Sequence, residues 1–225
     1  MEHYDKEYGL EVWGDMACFT RPELKVERVS YDVITPSAAR AIFEAIFWKP
    51  AIRWEVTRIE VLNPIQWTSV RRNEVGAVGS LRIQHIYIED KNKGRQRNTL
   101  LLKKVRYRIY AKLIYIPVNQ RKKEQQRGAK DENPGKYQAM FERRASKGQC
   151  FNQPYLGTRE FSAYFRLLED GESLVPPLAQ DRDLGIMLYD MDFSDPENVN
   201  AMFFRANMRA GVINVPPRNS EEILR

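Results

Sequence analysis

Alternating apolar and polar positions mark most of this chain as strand, and two stretches switch to a helical period. Leu10 to Phe19 reads as a first strand, interrupted by a Gly14-Asp15 step that suits a bulge. Thr35-Pro36 then opens a helix, with threonine placed to cap, proline at the first helical position and Lys49-Pro50 ending it. Ala38, Ile42, Ala45 and Ile46 share one helical face and predict its core stripe. Ala51 to Leu62 alternates through Ile52, Trp54 and Val56, then changes phase to Ile59 and Val61, as a bulged or bent strand does. Arg71 to Gly79 is basic at its start, bears glycine and reads as a loop. Leu81 to Ile88 alternates cleanly, with His85 on the side of Leu81 and Ile83, where a packed or rim role is favoured over catalysis. The polar run from Glu89 to Asn98 suits a hairpin tip.

Val105 to Ile116 is the most informative strand. One face carries Val105, Tyr107, Ile109, Ala111 and Leu113, and the other carries Arg106, Arg108, Tyr110 and Lys112. Cations interleaved with an aromatic on a sheet face suit phosphate binding with base stacking, although an ordinary solvent-facing surface has the same pattern. Asn133-Pro134 opens a second helix, closed near Gly148, with Tyr137, Met140, Phe141 and Ala145 as its buried stripe. Thr158–Leu168 and Asp183–Phe193 read as strands, and Ala201–Arg209 with Val212–Val215 as a further β unit. Glu169 to Arg182, with Pro176-Pro177, is a long connection. This order predicts an α+β fold: a ferredoxin-like domain of RNA-recognition type over residues 1–150, with an inserted hairpin, and a small C-terminal antiparallel β-sheet domain over 151–225.

Composition fits one sizeable core with a small appended unit, at 225 residues and 43% apolar. Charge changes the picture more. The net charge is only +6, yet Lys91 to Lys147 holds 18 Lys and Arg against Glu124, Asp131, Glu132 and Glu142. Such segregation favours a polyphosphate partner, with a solvated lysine-rich face beside a mobile Gln120–Lys130 loop as the alternative. No run of about 18 apolar residues predicts a membrane span, and no secretory signal is visible, so a cytoplasmic setting is expected. Cys18, Cys150, His3 and His85 lack the close pairing of a Cys/His metal site, and no phosphate loop, HExxH or GxSxG occurs; no cofactor or metal is expected. Asp190 and Asp192 share a strand face but read as structural. Any RNA chemistry here is expected to proceed without metal, and Lys112 and Tyr110 are residues of the right type for it.

The stretch WGDMACFTRPELKVERVSYDVITPSAARAIFEAIFWKPAIRW, with NPIQWTSVRRNEV and QPYLGTREF, resembles the Cas-five subunit of type I-C (Dvulg) CRISPR systems over nearly the whole chain. The resemblance implies a ferredoxin-like domain with a C-terminal β-sheet domain. It also implies metal-independent cleavage of CRISPR-repeat precursor RNA near its stem-loop, followed by retention on the 5′ handle within a surveillance complex. The implied partners are repeat RNA and the other subunits of that complex, with double-stranded DNA a further candidate and no membrane. Family catalysis is assigned to a Tyr ending the first helix and a Lys-x-His pair on a later strand, positions that fall here on Phe47, Tyr110 and Lys112. Phe47 has no hydroxyl, so it is expected to stack a base rather than move a proton. Tyr110 and Lys112 are the catalytic candidates, and Phe47, Lys49, Arg71, Arg72, Arg106 and Arg108 the RNA-binding ones. These departures leave a second reading open, a non-catalytic RNA-binding scaffold. A generic ribosomal-type RNA binder fits the charge but not the long motifs.

Overall fold

The computed structural model describes residues 5–76, 94–126, 132–193, 195 and 197–225. Strand β1 (Lys6–Ala17) leads through helix α1 (Pro36–Ile46) to β2 (Ile52–Val61), β3 (Trp67–Val75) and the long β4 (Gly94–Tyr115). Helix α2 (Pro134–Ala145) follows, then β5 (Tyr164–Leu167), β6 (Arg182–Asp192), β7 (Asn200–Arg209) and β8 (Val212–Asn214). The strands form one antiparallel sheet in the order β5-β1-β4-β2-β8-β7-β6, with β3 paired to the far end of β4. No helix among the described residues is long and apolar enough to cross a membrane.

Both helices begin where capping chemistry places them. The Thr35 hydroxyl accepts from the Ala38 amide at 3.3 Å, and Asn133 Oδ1 accepts from the Lys136 amide at 2.8 Å, each followed by proline at the first turn. Helix α2 stops at Gly148, whose φ of +64° a side chain would disfavour. The helices pack on one sheet face, where Phe43 and Phe141 meet Trp54 of β2 at 4.8 and 4.6 Å between centroids. Tyr8, Leu10, Ile59, Ile109, Ala111 and Leu113 complete that face and are all buried. Burying each large side chain contributes roughly 1.5–3 kcal/mol. The phase change in β2 is a register shift between Val56 and Arg58, as the alternation indicates.

Several elements differ from expectation. Arg71 to Val75 belong to β3, which pairs with β4 from Trp67↔Leu102 to Val75↔Gly94. No residue of β3 is buried, so backbone pairing without core burial defines it, and hydrophobic periodicity cannot detect that. Residues 94–98 are likewise strand rather than hairpin tip. The expected strand at 81–88, with His85, lies outside the described residues. Beyond residue 150, β5 pairs with β1, and β8 pairs with β2, so the C-terminal strands continue the first sheet.

Candidate nucleic-acid interface

Alternate positions of four strands share the face opposite the helices, and register decides which charges meet there. Arg108 lies across from Glu11 of β1 and Glu60 of β2, and Glu11 lies across from Arg166 of β5. Glu11, with its side chain 4% exposed, accepts from Arg106 Nε and from Arg166 Nη2, both at 2.6 Å. Arg108 is equally buried, pairs with Glu60 at 3.1 Å and donates to the Val175 carbonyl. A guanidinium so deep requires partners, because an uncompensated buried charge costs several kcal/mol. Arg108 is therefore built into the fold and does not present an open phosphate contact. Arg106 keeps half of its side chain in solvent and remains available.

Tyr110 is half-buried beneath the Arg58 guanidinium, 4.0 Å from its ring centroid. Gly9 of β1 makes room: a Cβ there would sit 2.9 Å from Tyr110 Cε1 and 2.7 Å from Leu168 Cδ1. Lys112 is exposed and stands in register with Glu7 and Glu55 on its two neighbouring strands. A basic strand face read in isolation thus becomes, in the sheet, a ladder of alternating charge. Glu11 and Glu60 sit on the polar faces of their own strands, and counting carboxylates on adjacent strands is the signal that reveals this.

Phe47 lies on the other side of the sheet. It is fully buried, its carbonyl accepts from Trp54 Nε1 at 2.9 Å, and its ring faces Tyr137 at 6.3 Å and the Arg144 guanidinium at 5.3 Å. Packed there, Phe47 has no face open to a base, and it does not meet Tyr110 or Lys112. The next two residues differ: Trp48 is 50% exposed and Lys49 is exposed. They border an open groove of about 950 Å³ with Arg144, Phe151, Tyr155 and Arg159. The Phe151 and Asn152 amides both donate to the Ala45 carbonyl, at 2.9 and 3.0 Å, which pins this loop to the helix end. Phe151, Tyr155 and Arg159 come from an irregular segment with no period to mark them.

On β3, Arg71 is exposed, whereas Arg72 is half-buried and held by both Glu160 oxygens at 2.6 and 2.7 Å. Arg72 thus ties the β3–β4 hairpin to the 158–162 turn. Asp190 and Asp192 are arginine partners, Asp190 held by Arg40 at 2.8 and 2.9 Å and Asp192 by Arg218 at 3.2 Å, in agreement with a structural role. Among the described residues no group of three or more His, Cys, Asp or Glu is arranged to hold a metal ion.

An antiparallel sheet with two helices on one face, carrying cations among exposed aromatics, defines the class of protein to which relatives can be compared. The family model for the Cas5d type of CRISPR-associated protein (Cas_Cas5) matches residues 8–216, and the chain belongs to that family. A relative from Mannheimia succiniciproducens, named CRISPR pre-crRNA endoribonuclease Cas5d, is 47% identical over 96% of this chain and 97% of its own. One of the same name from Thermus thermophilus is 42% identical over 96% and 94%. Among solved structures, a CRISPR-associated protein superposes with a TM-score of 0.70 at 23% identity over the whole of both chains. A chain of a CRISPR RNA-guided surveillance complex gives 0.51 at 12% identity, over 94% of this chain and 90% of that one. At such identities the two structures speak to the fold alone.

Proposed function

We propose that this protein is a metal-independent endoribonuclease that cleaves CRISPR-repeat precursor RNA near its stem-loop. It then stays on the 5′ handle as a subunit of a type I-C surveillance complex. The observation that carries this reading is the 47% and 42% identity, over nearly full length, to two relatives named as pre-crRNA endoribonucleases. We read the β1-α1-β2-β4-α2-β5 succession, with sheet order β5-β1-β4-β2, as a ferredoxin-like unit with an inserted hairpin, and β6 to β8 as the appended C-terminal part.

In this reading Arg71, Arg106 and Lys49 bind the RNA, and Lys112 stabilises the charge that develops as the ribose 2′-oxygen attacks the neighbouring phosphorus and the 5′-oxygen leaves. Purified protein with its own repeat RNA and EDTA is expected to give one discrete cut ending in a cyclic phosphate. Cleavage lost in EDTA and restored by magnesium would overturn metal independence. Lys112→Ala is expected to slow single-turnover cleavage at saturating protein by about 100-fold or more, on the order of 3 kcal/mol. Cleavage at the wild-type rate removes Lys112 from the chemistry.

One observation favours a second reading, a non-catalytic scaffold on the handle. The family's first catalytic position is here the hydroxyl-free, buried Phe47, on the sheet face opposite Tyr110 and Lys112. Tight binding of repeat RNA without any cut selects the scaffold.

A further inference from the structure

Tyr164, Trp13 and Arg106 stand in one cross-strand row on β5, β1 and β4, on the face away from the helices. The Tyr164 and Trp13 rings stack, with centroids 6.0 Å apart and 23° between planes. Tyr164 lies on the edge strand and is 62% exposed. Arg106 supplies a third planar group, held through Nε on the Glu11 carboxylate at 2.6 Å, with its side chain 51% exposed. Beside this row Lys104 of β4 takes a left-handed φ of +51°, which costs a non-glycine residue about 1–2 kcal/mol. Asn63 Nδ2 donates to the Lys104 carbonyl at 2.8 Å there. A cleft of about 360 Å³ opens there, lined by Trp13, Asp15, Asn63, Lys104 and Arg106 among others.

An open ring at Tyr164, backed by the partly buried Trp13 on the polar face of the sheet, contributes little to the core and leaves apolar area in water. Two aromatic rings continued by a guanidinium suit the flat face of a nucleobase, and the flanking cations suit its phosphate. We propose that the Tyr164–Trp13–Arg106 row is a stacking platform for an unpaired nucleobase of RNA, with Lys104 serving the adjoining phosphate. The proposal rests on the RNA-binding reading above and extends it. It places a single-stranded segment on the β5 side of the sheet, roughly 20 Å along β4 from Lys112, six residues at strand rise.

The test compares two RNAs, the repeat with its unpaired flanks and the same repeat trimmed to its stem-loop. Tyr164→Ala is expected to weaken binding of the flanked RNA by roughly 10-fold, at the low end of what a lost base stack costs. It should leave the slope of log affinity against log salt unchanged, because no phosphate contact is lost. Binding of the trimmed stem should not change, and Tyr164→Phe should restore the flanked affinity. Trp13→Leu, checked for an unaltered melting temperature, should reproduce the loss. Wild-type affinity of Tyr164→Ala and Trp13→Leu for the flanked RNA overturns the platform while leaving RNA binding intact. A wild-type protein that binds neither RNA overturns the parent reading as well. Unchanged RNA affinity with lost co-purification of co-expressed complex subunits assigns the row to a protein contact and also overturns the proposal.

Discussion

On the sheet face, Arg108 is paired with Glu60 and roofed by the Val175 carbonyl, while at the end of α1, Lys49, Arg144 and Arg159 stand among Trp48, Phe151 and Tyr155. Both surfaces are rich in cations, but Arg108 is neutralised from within whereas the groove cations border open solvent. The difference is set by the neighbours that the sheet register supplies. A strand's own periodicity tells which way a side chain points, and the adjacent strands decide whether its charge is already spent. In this molecule the cations that hold the fold and the cations that can meet a ligand are therefore largely separate sets.

The largest test of that separation is Phe47→Ala. Removing a fully buried phenyl beside Tyr137 should cost about 3–5 kcal/mol of stability, read by denaturant or thermal melting. The protein that remains folded should keep its RNA affinity. An unchanged melting temperature with weakened RNA binding would put Phe47 back in the interface. Arg108→Ala comes next, because it strips Glu60 of a buried partner, and a loss of about 3 kcal/mol is expected. The salt slope of RNA binding should not change, and a slope that flattens by about one phosphate contact would mean that Arg108 faces the RNA after all.

Trp48→Ala with Lys49→Ala is the counterpart at the groove. Repeat-RNA affinity should fall by roughly 10-fold, with the melting temperature held within a degree or two. A large loss of stability at unchanged affinity would make the groove rim structural. The smallest effect concerns the Glu142 carboxyl, held below its ordinary value by the hydrogen bond from Lys6 first, against desolvation, and then by that from Tyr8. A depressed folded value means that its contribution is complete above the ordinary glutamate value of about 4.3 and fades as pH falls below it. Glu142→Gln should therefore lower stability at neutral pH and flatten the acid limb of the stability profile. An acid limb identical to wild type would show that Glu142 does not couple to folding.

Local chemistry in the sequence located what local chemistry controls. Thr35-Pro36 and Asn133-Pro134 mark both helix starts, and the phase change after Val56 marks the β2 bulge. The two faces of β4 were equally legible, because period 2 separates Ile109, Ala111 and Leu113 from Arg108, Tyr110 and Lys112 without reference to any other strand. What lay beyond reach was pairing across long sequence distance. Glu11 meets Arg106 and Arg166 only once β1 lies between β4 and β5, and Glu160 claims Arg72 only when the 158–162 turn reaches the hairpin. Phe47 shows the same limit from the apolar side. Its place at the end of α1 was clear, but its burial depends on Tyr137, 90 residues later.

Strand β4 pairs with β1, β2 and β3 at once, and this has a consequence for how the chain is born. On a ribosome adding about 5–20 residues per second, β1, α1 and β2 emerge with no partner strand available, because β1 and β2 do not pair with each other. Closing the loop from Leu10 to Ile109 must precede any reward from β1–β4 pairing, a non-local step of the kind that slows folding. The nascent N-terminal segment therefore travels as an unassembled amphipathic chain until the middle of the protein has cleared the exit tunnel. A chain cut short before β4 is complete lacks the template on which both of its first strands are laid, and is matter for chaperones and proteases rather than a smaller working domain.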